Sequence, residues 1–411
     1  MKRIICVLFA FIIVFQTTAY ALDSNTTNYY QYENNVMSSQ AIIDRFQKYY
    51  EGEYPEVNIC YYPDYFGGFQ FLKDGKILMY ISDDSDEVKN EVYKICASKD
   101  ISFEKVNYSF RFLFDTFKVL KQRYVDFNYK FISFDLSANS INMYIDEFSS
   151  ELTCTNSILV NEHLSGVVKV LPFINVENVL ATSNYPNDDV DDVYKTPQKL
   201  LNSTELGDTY TASPTVILPA GPGNDGGSTY GTIGFCALDA NTGAKLLITH
   251  GHNLVNNTNY YYGSSYVGKI NVIWTSDPCD LSIIELNEGV GISNRLYSTT
   301  NYIRSNFSTH ASLLSVANNS GFYFRGQSTG ESSSGTLGYF YDGSRYYMTV
   351  SGISSIEGDS GAPVYTKTSS TSFKLAGIQV GNGMVGIRCT SLPEIKSRWP
   401  LYVYQNDTVY Y

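Results

Sequence analysis

Three short segments of this 411-residue sequence combine residue types that do chemistry. Lys245–Asn253 reads K-L-L-I-T-H-G-H-N, an apolar run ending in two histidines. Asp277–Leu286 reads D-P-C-D-L-S-I-I-E-L, with an acid directly before a second apolar run. Glu357–Val364 reads E-G-D-S-G-A-P-V, a serine between glycines. A serine hydroxyl is a poor nucleophile at its own pKa, so acyl transfer needs a base within hydrogen-bond reach and a third group orienting that base. Of the four histidines, His250, His252 and His310 lie in the same half as the serine, while His163 lies in the other and reads as a solvated or capping side chain. Two backbone N–H groups must also converge on the developing oxyanion. Gly358 and Ser360 are the candidates, each donor being worth about 3–4 kcal/mol in such sites.

Those segments sit in a region built of short strands. From Ser228 onward the chain has frequent Gly, Asn and Ser between apolar runs, the pattern of an all-β sandwich or barrel. The preceding half reads differently. Ile77–Val106 aligns without gaps on Ile141–Val170 at a constant offset of 64, with eight identities in thirty, and each copy reads as a hairpin, a helix and a strand. In the first copy Lys73-Asp74-Gly75-Lys76 is the turn between strands and Asp83–Ser98 the helix. The second copy predicts strands at Phe131–Leu136, Ile141–Ile145 and Gly166–Phe173, with a helix running to Glu162. Phe110–Tyr124 is a connecting helix. Residues 22–173 therefore read as an α/β (α+β) region of two units, about 66–107 and 130–173, followed by an exposed linker at 174–214 and a β region at 215–405.

Charge divides the same way. The net −12 splits into +2 from Lys2 and Arg3, −13 over residues 22–209, with 16 basic and 29 acidic side chains, and −1 from Tyr210 onward. The basic footprint that neutralises phosphates is missing, which argues against a nucleic-acid partner. Charged residues at 17% and aromatics at 15% exclude disordered and coiled-coil classes. Lys2 and Arg3 precede twelve apolar residues, Ile4–Phe15, and Ala19-Tyr20-Ala21 follows, the layout of a signal peptide over residues 1–21. Twelve residues are too few for a bilayer, which needs about 20, so the mature chain is expected to be exported and to have no membrane association. Cys60, Cys96, Cys154, Cys236, Cys279 and Cys389 then remain, three per half, and their pairing is open. No Cys-x-x-Cys or His-Glu-x-x-His spacing supports a metal, and no cofactor is expected.

T-H-G-H, D-L-S-I and G-D-S-G-A-P, in that order, resemble the three signature segments of chymotrypsin-like serine proteases. The gaps, 28 residues from His252 to Asp280 and 80 from Asp280 to Ser360, are similar to those of the bacterial branch of streptogrisins and α-lytic protease, as is the G-x-x-T-G run Gly326–Gly330. The branch's T-A-G-H-C falls on Thr249–Asn253, which implies His252 as base, with His250 at the usual alanine, Asp280 rather than Asp277 as orienting acid, and Ser360 as nucleophile. Asn253 stands where a cysteine is usual, which puts the branch's disulfide in doubt and leaves Cys279 as a buried thiol, and Ala362 replaces the commoner glycine. The resemblance implies two antiparallel β-barrels over 215–405 and a secreted endopeptidase acting on protein or peptide substrates through an acyl-enzyme. A histidine base implies activity that fades as pH falls through the ordinary imidazole range near ~6.5.

By the same resemblance the substrate pocket involves Ser354 and Ser355, just before the nucleophile, and Gln379 and Val380 on the facing strand. None is charged, which favours a neutral side chain before the cleaved bond. Relatives of this branch carry a large pro-region that assists folding and inhibits the product, and residues 22 to about 210 occupy that position. Two alternatives stand beside this reading: an inactive protease-like binding protein, and an active protease with a permanently retained N-terminal module.

Overall fold

The computed structural model describes residues 31–52, 60–123, 127–145, 155, 159, 164–172, 215–219 and 228–405, the last range without 253, 255, 263–264, 276–278, 288–289, 293, 295, 297–300, 327, 343–344, 357 and 384–385. The signal segment, His163, Cys154, Asp277 and the linker 174–214 lie outside the described residues. Among those described, no helix is long and apolar enough to cross a membrane.

In the N-terminal half, helix α1 covers 31–51. The first copy follows as β1 (Phe66–Phe71), β2 (Ile77–Ile81), α2 (Asp86–Cys96) and β3 (Ile101–Lys105), with β1 antiparallel and β3 parallel to β2. Ser85 caps α2 by accepting from the Val88 N–H, and Val88, Val92 and Cys96 form its buried stripe. Helix α3 (Phe110–Gln122) is capped by Ser109 and buries Phe110, Leu113, Phe114, Phe117 and Leu120, one helical face. The second copy gives β4 (Phe131–Asp135), β5 (Ser140–Ile145) and β6 (Val168–Pro172) in the same antiparallel-then-parallel order. Among the described residues the constant offset holds at the middle strand and is lost at the last. Ile77 pairs with Ile101, whereas Ile141 pairs with Val168, three residues beyond the aligned position, so the second copy has the longer crossover.

The C-terminal half is mostly β. A hairpin, β7 (Thr215–Pro219) with β8 (Ser228–Thr232), opens it, so strand structure reaches into the Gly- and Pro-rich stretch that follows the linker. A six-stranded sheet is formed by β9 (Phe235–Asp239), β10 (Lys245–Thr249), β11 (Asn259–Tyr262), β12 (Ser265–Trp274), β13 (Leu281–Leu286) and β22 (Leu401–Val403), in the order β11-β12-β13-β10-β9-β22. Both its faces are buried. Leu246 and Ile248 of β10 face one apolar cluster and Leu247 the other, the alternation a strand imposes.

The second sheet contains β14 (Tyr302–Asn306), β15 (Phe322–Gly326), β16 (Gly330–Glu331), β17 (Thr336–Tyr341), β18 (Tyr346–Ser351), β19 (Pro363–Lys367), β20 (Ser372–Asn382) and β21 (Gly386–Ser391), with short helices α4 (His310–Leu314) and α5 (Leu392–Arg398). Its path β16-β15-β19-β20-β21-β18-β17 continues into β4-β5-β6, because Phe340 and Tyr341 pair with Ser133 and Ile132. Phe322 also exchanges backbone hydrogen bonds with Gly335, which brings β15 back beside the start of β17.

The two halves share one apolar core. Phe46, Phe66, Phe110, Phe117 and Phe134 belong to the same buried cluster as Phe307, Leu313, Phe322 and Met348. Burial of side chains this size contributes about 1.5–3 kcal/mol each. Polar contacts follow the same seam. Lys374, buried on β20, donates to Gln47 at 2.6 Å and pairs with Asp44 at 2.9 Å, both on α1.

Candidate active site

Strand register brings the acid to the first histidine segment. Thr249, the last residue of β10, pairs with Ser282 of β13, so the residues just past the end of β10 lie beside Asp280, just before β13. Asp280 is 1% exposed and uses both oxygens. Oδ1 accepts from the main-chain N–H of Gly251 at 2.7 Å and of His252 at 2.8 Å, while Oδ2 meets His252 Nδ1. Burial alone would raise this carboxyl. The hydrogen bond and charge of His252 outweigh it and hold Asp280 below the usual carboxylate range. Thr390 on β21 completes the clamp, its hydroxyl accepting from the Asp280 N–H at 3.1 Å and donating to the Asp280 carbonyl at 3.3 Å.

His250 and His252 occupy different environments. His250 is 1% exposed, its Nδ1 lies 3.1 Å from the His252 carbonyl, and its ring sits 4.3 Å from the His252 ring. Burial, with the neighbouring His252 adding to it, pushes His250 down to about 3, so it stays neutral. His252 is half-buried and is the member of the pair that keeps access to solvent.

Ser360 lies in a turn that packs on the same strand ends. Its carbonyl accepts from the Thr232 N–H at 2.7 Å, the Thr232 hydroxyl donates to the Gly358 carbonyl at 2.7 Å, and the Thr249 hydroxyl donates to the Thr232 carbonyl at 2.7 Å. Gly361 has φ +92°, and a Cβ there would overlap Thr232 O and Thr249 Oγ1 and lie 3.1 Å from His250 N. Only glycine fits this approach, which brings Gly361, the residue after Ser360, against Thr249 and His250; among the described residues no hydrogen bond joins Ser360 to His252. Ala362, in place of the commoner glycine, is fully buried and its N–H closes the turn onto the Asp359 carbonyl at 2.9 Å.

Asp359, next to Ser360, is the buried neighbour that residue-by-residue reading missed. It is fully buried. Oδ1 accepts from the N–H of Ser328 at 2.9 Å and of Thr329 at 3.0 Å, and Oδ2 accepts from the Thr329 hydroxyl and, at 3.0 Å, from the Ile356 N–H. The G-x-x-T-G run is thus a backbone cradle for the acid beside the serine. A Cβ on Gly326 would overlap the Asp359 carboxylate, so the G-D-S-G and G-x-x-T-G segments require each other. That mutual need was the available signal.

A cavity of about 560 Å³ opens beside this turn, lined by Thr329, Ser332, Ser333, Ser354, Asn382 and neighbouring backbone. Ser354 is on its wall. Ser355 and Gln379 are buried behind it, Gln379 donating to the Ser355 hydroxyl at 2.8 Å, and Val380 packs into the apolar cluster between the sheets. Glu331, the one acid on the lining among the described residues, is already bonded to Tyr365 at 2.8 Å and Lys367 at 3.0 Å. The cysteines at 60, 96, 236, 279 and 389 are buried thiols, and burial pushes Cys279, next to Asp280, up to about 12.

Comparison with solved structures finds proteases. The Nocardiopsis protease NAPase is similar over 47% of this chain and all of its own, at 17% identity and a TM-score of 0.35. A glutamic acid-specific serine protease described as using a histidine triad in substrate binding matches over the same shares at 19% and 0.35. Thermobifida fusca protease A matches over 48% of this chain and all of its own at 17% and 0.34. No family model and no curated protein matches the chain.

Proposed function

We propose that this chain is a secreted serine endopeptidase of the chymotrypsin-like kind, made as a zymogen, with its two C-terminal sheets curled into the two barrels of that fold. The observation that carries the proposal is the hold of Asp280 on the ring and main chain of His252 and on the Gly251 N–H, beside the turn bearing Ser360. In this mechanism Ser360 attacks a peptide carbonyl as His252 takes its proton. Asp280 fixes the imidazole tautomer and stabilises the imidazolium that forms. The N–H groups of Gly358 and Ser360 receive the oxyanion. His252 then returns the proton to the leaving amine, and water reverses the sequence to release the acyl group. The uncharged wall at Ser354 and Asn382 suits a neutral side chain before the cleaved bond.

The N-terminal half is proposed to act as pro-region, folding template and inhibitor, with processing in the 174–214 linker. Strand β4 supports this by extending the C-terminal sheet at β17, which supplies non-local pairing that a β protein is otherwise slow to find. A fluorophosphonate probe tests the whole reading. Once the N-terminal half has been cleaved and removed, it should label the parent and not Ser360→Ala, and labelling of neither, in chains folded equally well, would refute the assignment.

A further inference from the structure

The last turn of α3 meets the C-terminal half across a polar cleft of about 350 Å³. Lys121 comes from the N-terminal side, and His310, Arg345, Tyr346 and Arg398 come from the other. Glu394 is the single carboxylate on the lining among the described residues, and it is committed to Arg398, accepting from Nε at 3.2 Å and Nη2 at 2.9 Å. Lys121 Nζ lies 4.2 Å and 4.3 Å over the rings of Tyr341 and Tyr346, contacts that hold an ammonium without cancelling its charge. Burial drops Lys121 to about 8, which leaves it mostly charged at neutral pH.

The other groups are donors. His310 is buried, with its ring stacked 3.8 Å from Tyr346 and its Nδ1 2.6 Å from the Tyr339 hydroxyl. Burial, and then the charge of Lys121, push it down to about 3, so the ring is neutral. With Tyr339 donating to Nδ1, the ring proton stays on Nε2 for the cleft. Among the described residues neither the Tyr346 hydroxyl nor the Arg345 guanidinium has a hydrogen-bond partner. Among the described residues three cations therefore face one carboxylate, and each unused group can donate.

We propose that this cleft binds a tetrahedral oxyanion, inorganic phosphate or sulfate, held between Lys121 of the N-terminal half and Arg345 and Arg398 of the C-terminal half. Such an ion accepts from every donor present and offsets the charge that Glu394 leaves. Because its ligands come from both halves, the bound ion stabilises their union. This inference is independent of the catalytic reading.

The test uses the full chain with Ser360→Ala, so that no self-cleavage intervenes. Thermal midpoints are followed against sodium phosphate, sodium sulfate and sodium chloride at matched ionic strength. Phosphate and sulfate should raise the midpoint along a saturating curve that chloride does not give. Lys121→Met, which keeps the stem packed on the tyrosines, and Arg345→Met should each weaken the apparent affinity about tenfold or more. Lys118→Met on the same helix should leave it unchanged. A response that does not saturate, matches chloride, or persists undiminished in both Lys121→Met and Arg345→Met would overturn the proposal.

Discussion

Asp280 accepts the main-chain N–H of His252 at 2.8 Å and also meets its ring Nδ1, so one buried carboxylate fixes both the backbone and the side chain of the same histidine. An amide in its place can still accept from the backbone but presents an NH₂ or a carbonyl to the ring and stabilises no imidazolium. Asp280→Asn should therefore stay folded and lose activity by roughly 10⁴-fold in kcat. Kinetics on a generic peptide substrate, with circular dichroism to establish folding, checks this.

The two adjacent histidines should separate cleanly. His252→Ala should lower kcat by about 10⁴-fold or more. His250 is tied to the His252 carbonyl, buried and held neutral, which suits it to support and not to proton transfer. His250→Ala should cost no more than about tenfold, the scale of a lost positioning contact near 1.4 kcal/mol. Equal losses in the two variants would count against His252 as the base.

Much of this site is legible in the sequence because its chemistry is local. T-H-G-H, the Asp280 strand and G-D-S-G each place a reactive group next to the glycine or strand end that positions it, and the register of β10 on β13 then brings Asp280 to the Gly251 N–H. What escapes notice is long-range. Thr390 reaches Asp280 across 110 positions and Lys374 reaches Gln47 across 327, with no pattern in either neighbourhood to announce the partner. The same limit explains the three-residue slip in the second repeat, since pairing in space, and not chain offset, decides which residue lies opposite Ile141. Gln379 faces inward for a related reason: its amide answers Ser355, 24 positions away.

Gly326→Ala should behave as a defect of the serine turn, although residue 326 is on another strand. The added methyl overlaps the Asp359 carboxylate and displaces it from the amides of Ser328 and Thr329. A buried carboxylate stripped of such partners costs about 1.5–3 kcal/mol per bond. Chemical denaturation should show a loss of that order, together with loss of fluorophosphonate labelling.

The shared core predicts that cutting the linker does not by itself separate the halves. Phe46 and Phe117 on one side and Phe307 and Met348 on the other would be exposed by dissociation, and Lys374 would lose Asp44 and Gln47. After limited proteolysis within 174–214 the two fragments should co-elute on size exclusion. Asp44→Ala, which takes the half-buried carboxylate from the buried Lys374, should weaken the union by up to about 3 kcal/mol and favour separation.

Glu51, at the end of α1, makes the same seam sensitive to pH. Burial pushes its carboxyl up to about 7 against the opposing pull of Lys374 and of the Tyr62 hydroxyl that donates to it, and Asp44 adds to the rise. An acid whose folded value lies above its unfolded value of about 4.3 imposes no penalty below that value. The cost of ionising it in place accumulates as pH climbs toward 7 and is constant above. In the Ser360→Ala background, Glu51→Gln should match the parent near pH 4 and gain on it steadily up to pH 8 in thermal midpoint. A difference that shrinks with rising pH would mean that Lys374 holds Glu51 as a carboxylate and that its attraction outweighs the cost of burial.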